Sequence, residues 1–404
     1  MCWIVSTFVL VSLLTLSQCF VDGALKRQNF IPINADVKVP DGFEASIVAN
    51  IPGARQLVTL PNGDMIVGTH GTTVEIISNA DARDAVGPVT TFATFPSDYG
   101  TQGVAFGGGF IYAATQKTIW RMPYKDGEKT GTPVNISSVR TGPIAPHSDG
   151  DVHRSTSVAV SDQTLYAGVG SSCNACEEVD PTRATIQMME LDGSNMKLKA
   201  RRWRNAIAFA VDPKTKTVWA GGAGQDNLPP AHPYEFMDPV SLRSTPADYG
   251  WPDCEENRHA YTPGSNCSQV VIPAVAIPAY STIIAATFYP LETTGLTYAF
   301  PKAWLGGLFV SMHGSWHQNS SKVPWVAPHV AFVPFDDETR MPKSPVNWEN
   351  SYTQWTDFVT GFQDAQGNRI GRCTGVTIGS NGSLFLADDQ MGNIYRIRPT
   401  KTTL

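Results

Sequence analysis

Two stretches of the sequence decide the fold: residues 153–168, HRSTSVAVSDQTLYAG, and residues 204–221, RNAIAFAVDPKTKTVWAG. Each starts with a polar residue, continues as a short apolar segment, turns at an aspartate, and ends in a second apolar segment that closes with glycine. Short segments rich in Val, Phe and Tyr between turn residues predict paired antiparallel strands. The two lead residues, His153 and Arg204, are 51 positions apart (204 minus 153).

The same unit recurs four more times along the chain. The copies are residues 55–60 with 65–68, 102–106 with 111–114, 280–289 with 308–311, and 372–378 with 384–387. A period of about 50 residues is typical of propeller blades that contain four short strands each. No amphipathic helical stretch of convincing length interrupts the series. The sequence therefore predicts an all-β fold, a six-bladed β-propeller.

The lead residues of these copies predict a binding site. Because the first strand of a blade usually lines the central channel, the residues at its start should converge at one mouth of that channel. They are Arg55, Gln102, His153, Arg204 and Arg372. Guanidinium groups bind carboxylates through charge-assisted hydrogen bonds, so this ring suits a planar polyanion, and its single His is a candidate general base. The alternative is a repeat of polar surface residues.

Residues 1–23 have the composition of a secretory signal peptide. An apolar run from Trp3 to Leu16 precedes small and polar residues, and we expect cleavage near Ala24. No Lys or Arg precedes the run, so an uncleaved anchor is the alternative, although a membrane span needs about 20 apolar residues. We expect residues 24–404 to form a single propeller domain that is secreted and has no membrane span.

Sequons and cysteines agree with export. Four Asn-x-Ser sequons begin at Asn135, Asn266, Asn319 and Asn381 and predict a glycoprotein. Without the signal segment five cysteines remain, and we pair Cys173 with Cys176 and Cys254 with Cys267, which leaves Cys373 unpaired. The Cys-x-x-Cys pair could instead be redox-active or half of a zinc site, but the chain has no second such pair.

Charge and motifs exclude several classes of protein. The formal net charge is −6 at pH 7, and no basic block or basic-aromatic stripe is present, so nucleic acid is not expected as a partner. No Ser nucleophile elbow, Walker loop or metal-binding helix motif occurs.

Several segments, in this order, resemble the glucose/sorbosone dehydrogenase family, which includes the fungal pyranose dehydrogenases. They are SSCNACEE at 171–178, Arg204-Asn205, DYGWP at 248–252, HGSW at 313–316 and Gly371-Arg372. The resemblance extends from about residue 41 to residue 399, nearly the whole mature chain.

This resemblance implies a propeller that holds pyrroloquinoline quinone and a calcium ion and oxidises a sugar. It implies that His153 takes the hydroxyl proton while a hydride passes to the quinone. The predicted cofactor-binding residues are Arg55, Gln102, Arg204, Asn205, His313 and Arg372. The predicted calcium site is the turn Gly224-Gln225-Asp226, since Ca²⁺ takes oxygen ligands from loops. The partners implied are a carbohydrate substrate and an external electron acceptor.

The sequence also departs from the family pattern. Thr156, Gln225 and Gln318 stand where the family usually has Arg, and Tyr280 begins a segment in which a family His and a Gly are lost. Two lost arginine–carboxylate contacts would cost about 3–6 kcal/mol of binding free energy. These departures favour a second hypothesis, a non-catalytic propeller that has lost the quinone and binds carbohydrate or a protein. A calcium-dependent lactone hydrolase is disfavoured, because no cluster of acidic metal ligands stands out.

Overall fold

Six antiparallel sheets follow one another around a central channel, and their innermost strands are neighbours in a closed ring. The computed structural model describes residues 30–32, 37–83, 85–96, 100–140, 142–144, 146, 150–228, 232–316 and 326–401. The predicted signal segment, Gln318 and the Asn319 sequon lie outside these ranges, so those predictions stand as they were. The predicted six-bladed β-propeller is confirmed, and the described residues contain no α-helix.

Each blade is a sheet whose strands run in sequence order from the innermost outward, except that blade 6 takes its outermost strand from near the N-terminus. Ahead of the blades, β1 (Phe30–Pro32) pairs with β2 (Lys38–Pro40), and β3 (Phe43–Asn50) follows. Blade 1 contains β4 (Ala54–Thr59), β5 (Met65–Thr69), β6 (Thr73–Ile77) and β7 (Val89–Thr94), and blade 2 contains β8 (Gly103–Gly107), β9 (Phe110–Ala114), β10 (Thr118–Pro123) and β11 (Val134–Ser138). Blade 3 contains β12 (Thr156–Ser161), β13 (Thr164–Val169), β14 (Thr185–Glu190) and β15 (Lys197–Arg201), and blade 4 contains β16 (Ala206–Val211), β17 (Val218–Gly222) and β18 (Glu235–Asp238).

Blade 4 is completed only after an excursion of the chain. The excursion holds a 3₁₀ turn at Val240–Leu242, then β19 (Ala247–Asp248), β20 (Cys254–Glu255) and β21 (His259–Ala260), before β22 (Val275–Ile277) pairs with β18. Strand β19 adds to the outer edge of blade 3 in parallel with β15. Blade 5 contains β23 (Ile283–Phe288), β24 (Leu308–Met312), β25 (His329–Val333) and β26 (Thr356–Val359), with 3₁₀ turns at Lys302–Trp304 and Ser351–Thr353. Blade 6 contains β27 (Cys373–Ile378), β28 (Leu384–Asp388) and β29 (Asn393–Pro399).

The predicted strand pairs are the two innermost strands of each blade. Their connections contain residues that tolerate the left-handed region, such as Gly63 at φ +86°, Asp162 at φ +49° and Gly382 at φ +95°. In blade 4 the Asp212 carboxylate instead accepts the main-chain N–H groups of Lys214 and Thr215. Local turn chemistry therefore sets the register of each pair.

The ring closes through the N-terminal strand. Strand β3 pairs with β29 in an antiparallel ladder from Asn50 opposite Asn393 to Phe43 opposite Pro399. Blade 6 thus takes three strands from the C-terminal end of the chain and its outermost strand from near the N-terminus. This pairing closes the ring, because it joins the two ends of the propeller segment in one sheet.

The six larger clusters of buried apolar residues lie one at each junction between adjacent blades, and two small clusters surround the disulfides. The junction of blades 5 and 6 is the most aromatic, with Phe43, Phe300, Trp304, Phe309 and Phe358 in edge-to-face and tilted contacts. A single core rarely grows beyond about 250–300 residues. Six interblade cores explain how this longer chain forms one ring.

The two predicted disulfides are confirmed: Cys173 is bonded to Cys176 and Cys254 to Cys267, and Cys373 is buried and free. Among the sequons, Asn135 and Asn266 are exposed. The side-chain nitrogen of Asn381 instead donates to the Asp81 carbonyl oxygen at 2.8 Å. In the part of the chain that is described, no helix has the length and apolar character needed to cross a bilayer.

Candidate functional site

A polar cavity of about 580 Å³ opens at one end of the channel, and its size is typical of small-molecule sites. It lies where the innermost strands begin and their partners end, because antiparallel neighbours bring these two sets of loops to the same end. Seven of the ten predicted site residues line it: His153, Arg204, Asn205, Gly224, Asp226, His313 and Arg372. The sequence prediction of a shared mouth therefore places most of its residues in one cavity.

The hydrogen bonds of His153 define its tautomer. Its Nδ1 lies 3.0 Å from the carbonyl oxygen and 2.9 Å from the hydroxyl oxygen of Ser171. The Ser171 hydroxyl donates its own proton to the Cys173 carbonyl oxygen at 2.6 Å, so both Ser171 oxygens accept from the imidazole. Nδ1 therefore carries the proton and Nε2 is the basic nitrogen.

The surroundings of His153 keep its ring neutral. Burial, and after it the positive charge of Arg204, lower the pKa of His153 well below 6.5, and Arg140 and Arg183 act in the same direction. A neutral imidazole with an unprotonated Nε2 is the form that a general base requires. The residue is thus in the correct protonation state at neutral pH.

Arg204 is held by the loop that the Cys173–Cys176 disulfide closes. Its Nε donates to the Asn174 carbonyl oxygen and its Nη2 to the Asn174 side-chain oxygen, both at 3.0 Å. Nη2 also forms an ion pair with Asp226 Oδ2 at 3.0 Å. Asp226 exchanges two further hydrogen bonds with Asn174 through its main chain. The charge of Arg204 is thus matched by a carboxylate of the protein.

Arg372 lines the cavity from blade 6, immediately before β27. Its Nε donates to the His313 carbonyl oxygen at 3.1 Å and its Nη2 to the Gly314 carbonyl oxygen at 3.0 Å. Burial, and after it the charge of Arg369, lower the pKa of Arg372 to about 10, so it is a cation at neutral pH. No described carboxylate forms a salt bridge with it, which leaves a positive charge available to an anionic ligand.

Asp389 joins Arg55 to the cavity wall. Its Oδ2 accepts from Arg55 Nη1 at 2.7 Å and from His70 Nε2 at 3.2 Å, and its Oδ1 accepts from His313 Nε2 at 3.0 Å. Burial alone would raise the pKa of Asp389, but the hydrogen bonds from His313 and His70 lower it far below its usual range. Arg55 therefore does not line the cavity and instead positions His313 through this carboxylate.

Besides Arg55, two predicted ligands, Gln102 and Gln225, do not line the cavity. Gln102 is buried immediately before β8 and is not among the residues that line the cavity. The Gln225 amide donates to the Pro252 carbonyl oxygen at 2.8 Å and to Glu255 at 2.7 Å, so its side chain is occupied outside the cavity. Thr156, another departure from the family pattern, donates to the Gln116 carbonyl oxygen across the junction of blades 2 and 3.

Glu235 adds a buried carboxyl group that the sequence interpretation missed. It lines the cavity at the start of β18 and accepts the main-chain N–H groups of Thr282 and Ile283. Burial raises its pKa to about 8, so it is mostly neutral at pH 7. Ser171 and Asn174 were also missed, although both lie inside the quoted segment 171–178, whereas no local signal marks Glu235.

The fit to calcium is limited. Both carboxylate oxygens of Asp226 accept hydrogen bonds, Oδ2 from Arg204 and Oδ1 from Trp316 Nε1 at 3.2 Å, and its carbonyl oxygen accepts from Asn174. Among the described residues, the one group of three potential metal-binding side chains is Cys173, Cys176 and Glu178, and both sulfurs are in the disulfide. Asp226 therefore does not fit the predicted role of a free carboxylate ligand, and the turn offers main-chain oxygens instead.

The fit to an anionic quinone is better. Arg372 supplies an unmatched positive charge, Asn205 supplies an amide, and the cavity volume suits a compact planar ligand. Because Arg204 is already paired with Asp226, it adds less net charge than the sequence predicted. The cavity therefore has one dominant cation, Arg372.

The fold and the cavity together define a class of protein: a six-bladed propeller with a polar ligand site at one mouth of its channel and a neutral histidine in the wall of that site. Comparisons with known proteins support the fold. A family model described as TrAA12-like matches residues 255–400, which is less than half of the chain. An uncharacterised protein of Borreliella burgdorferi is 20% identical over 388 residues, 90% of this chain and 91% of that protein.

Solved structures give the widest coverage. The pyranose dehydrogenase PQQ domain from Coprinopsis cinerea, in its holo form, is 18% identical with a TM-score of 0.71 and covers 91% of this chain and 98% of that chain. A calcium structure of the Trichoderma reesei carbohydrate-active enzyme family AA12 is 17% identical with a TM-score of 0.72, covering 92% and 99%. The PQQ-bound aldose sugar dehydrogenase from Streptomyces coelicolor is 16% identical with a TM-score of 0.58, covering 89% and 99%. The resemblance inferred from the sequence is confirmed, and the chain has the fold of sugar-oxidising dehydrogenases.

Proposed function

We propose that this chain is a secreted, quinone-dependent sugar dehydrogenase. The observation that supports it most is the state of His153: its Nδ1–H is fixed by Ser171, its Nε2 is unprotonated, and it lines the same cavity as Arg204 and Arg372. Such a base beside an anion site is what the oxidation of a sugar hydroxyl requires. The likeness in fold to sugar dehydrogenases supports the same activity.

Each residue has a defined part in this proposal. Nε2 of His153 takes the proton of the sugar hydroxyl, and the resulting imidazolium keeps its Nδ1–H bond to Ser171. When bound, pyrroloquinoline quinone would supply the hydride acceptor, and an external acceptor would be needed to take up the electrons. Arg372 would hold a carboxylate of the cofactor, and Asn205 and Arg204, which Asn174 orients, would help to hold it.

Calcium enters the proposal through main-chain oxygens. We assign its protein ligands to the carbonyl groups of Gly224 and Gln225, because the Asp226 carboxylate is occupied by Arg204 and Trp316. Ca²⁺ takes 6–8 oxygen ligands, so most of its shell would come from the cofactor and water. An Asp226→Asn variant should therefore alter calcium dependence only modestly.

Reconstitution of activity tests the proposal. The purified mature protein is incubated with pyrroloquinoline quinone and Ca²⁺, and dye reduction is followed over a panel of aldoses and pyranoses. Wild type should reduce the dye in a sugar-dependent manner. His153→Ala should lose at least about 100-fold, the usual contribution of a positioned general base, whereas His259→Ala, at an exposed site on β21, should retain full activity.

The test also addresses the second hypothesis, a propeller that binds carbohydrate or a protein without catalysis. The pairing of Arg204 with Asp226 favours it, because that ion pair reduces the charge available for a quinone. Equal activity of His153→Ala and wild type would rule out the proposed base. No dye reduction with any sugar at saturating quinone and calcium would leave the binding protein as the better account.

A further inference from the structure

Trp316 is the most exposed large apolar side chain among the described residues, with 67% of its surface accessible. The other described tryptophans are buried or half-buried. Single exposed apolar residues are common on protein surfaces, so exposure alone assigns no role. Trp316 differs from such residues because its ring lines the cavity that contains His153 and Arg372.

The ring of Trp316 is also held in place. Its Nε1 donates to Asp226 Oδ1 at 3.2 Å, and Asp226 is in turn anchored by Arg204 and Asn174. The indole therefore has one polar edge fixed to the network at the base of the cavity, while most of its surface remains accessible. An aromatic ring with one anchored edge and an accessible face is suited to contact with a ligand.

We propose that Trp316 is the substrate platform of the cavity and that it selects pyranose rings by stacking on their apolar C–H face. A pyranose ring presents axial C–H groups on its faces and hydroxyl groups mainly around its rim. The cavity offers matching polar side chains in Asn205, Asn227 and Thr282. An open-chain polyol has the same hydroxyl groups without a rigid apolar face and would lose the stacking contact.

This inference deepens the proposed function, because it specifies the ring form of the substrate, but its test needs no quinone. Covering roughly 60–80 Å² of the indole, about a third of the area that such a ring buries, corresponds to about tenfold or more in affinity. Isothermal calorimetry on the cofactor-free full-length mature protein can measure this with D-glucose and D-galactose as probes, and with sorbitol as the open-chain control.

Three variants make the experiment specific. Trp316→Ala should weaken pyranose binding about tenfold or more, and Trp316→Phe, which keeps an aromatic face and loses the Asp226 bond, should stay within about threefold of wild type. Tyr352→Ala removes an equally exposed aromatic ring, 63% accessible, in the 3₁₀ turn before β26 and should leave binding unchanged. Thermal unfolding of each variant verifies the fold.

Three results would each overturn the inference. The first is equal pyranose binding by wild type and Trp316→Ala, and the second is binding of sorbitol as tight as that of glucose. The third is the absence of saturable pyranose binding by wild type. Failure of the proposed function gives a different result, because quinone uptake is measured separately. Pyranose binding without quinone uptake supports the platform and contradicts the dehydrogenase. Quinone uptake together with pyranose binding that does not depend on Trp316 supports the dehydrogenase and contradicts the platform.

Discussion

Replacing Asp389 by asparagine should destabilise the protein by about 3–5 kcal/mol, the usual cost of removing one partner from a buried ion pair. The carboxylate is 9% exposed and accepts from Arg55 at 2.7 Å, from His313 at 3.0 Å and from His70 at 3.2 Å. The amide keeps the size of the side chain but removes the negative charge that pairs with buried Arg55. Coulomb's law with an effective dielectric constant of 20 gives about 4 kcal/mol for charges 4 Å apart, which agrees with this range.

Urea unfolding at pH 7, with the free energy of unfolding extrapolated to water, measures the effect. The matched control is Glu44→Gln, because Glu44 pairs with Arg398 at the same 2.7 Å but is 50% exposed. Exposed pairs contribute about 0–1 kcal/mol. A loss below about 1 kcal/mol for Asp389→Asn, equal to that of the control, would refute the reasoning that this carboxylate holds the cavity wall.

Three further predictions address the site, its pH dependence and the channel. Asn174→Ala should weaken quinone binding by about tenfold, since it removes the side-chain hydrogen bond that orients Arg204 and the two that hold Asp226 beside it; calorimetry measures this, and unchanged affinity would contradict it. Because burial raises the folded-state pKa of Glu235 from 4.5 to about 8, the folded protein keeps a proton that the unfolded chain releases, so stability should fall as the pH rises from about 4.5 to 8. Urea titrations at pH 5 and 8 measure this difference in the free energy of unfolding. Glu235→Gln should reduce the difference, and the exposed control Glu338→Gln should not. An equal difference in wild type and Glu235→Gln would contradict the role of Glu235. Gln56 donates across the channel to Ser157, Ile207 and Ile284, so Gln56→Leu should cost about 1–3 kcal/mol in thermal unfolding, and an unchanged melting temperature would contradict this bridging role.

The blades could be predicted because each depends on local information. The turn at Asp162 and the apolar segments on either side define β12 and β13 without reference to the rest of the chain. The closure of the ring could not be predicted in this way. Strand β3, FEASIVAN, pairs with β29 more than 340 residues away, and its sequence would suit the edge of many sheets.

The sequence could predict which residues line the site, but not which hydrogen bonds and ion pairs they form. The repeat placed His153, Arg204 and Arg372 at one mouth because all three lie at the start of innermost strands. It could not show that Asp226 neutralises Arg204 or that Gln225 turns toward Glu255. Loop residues follow no period of two or 3.6, so the direction of their side chains depends on contacts formed only in the folded chain.

The most direct test of the central claim is a titration of the cofactor-free protein with pyrroloquinoline quinone in the presence of Ca²⁺, followed by absorbance. Our account predicts saturable uptake with micromolar or tighter affinity. Arg372→Ala should weaken it about 10- to 100-fold, the equivalent of one charge-assisted contact, and Arg398→Ala, on the outer part of blade 6, should have no effect. No uptake by wild type, or equal uptake by wild type and Arg372→Ala, would contradict the assignment of the cavity as the quinone site.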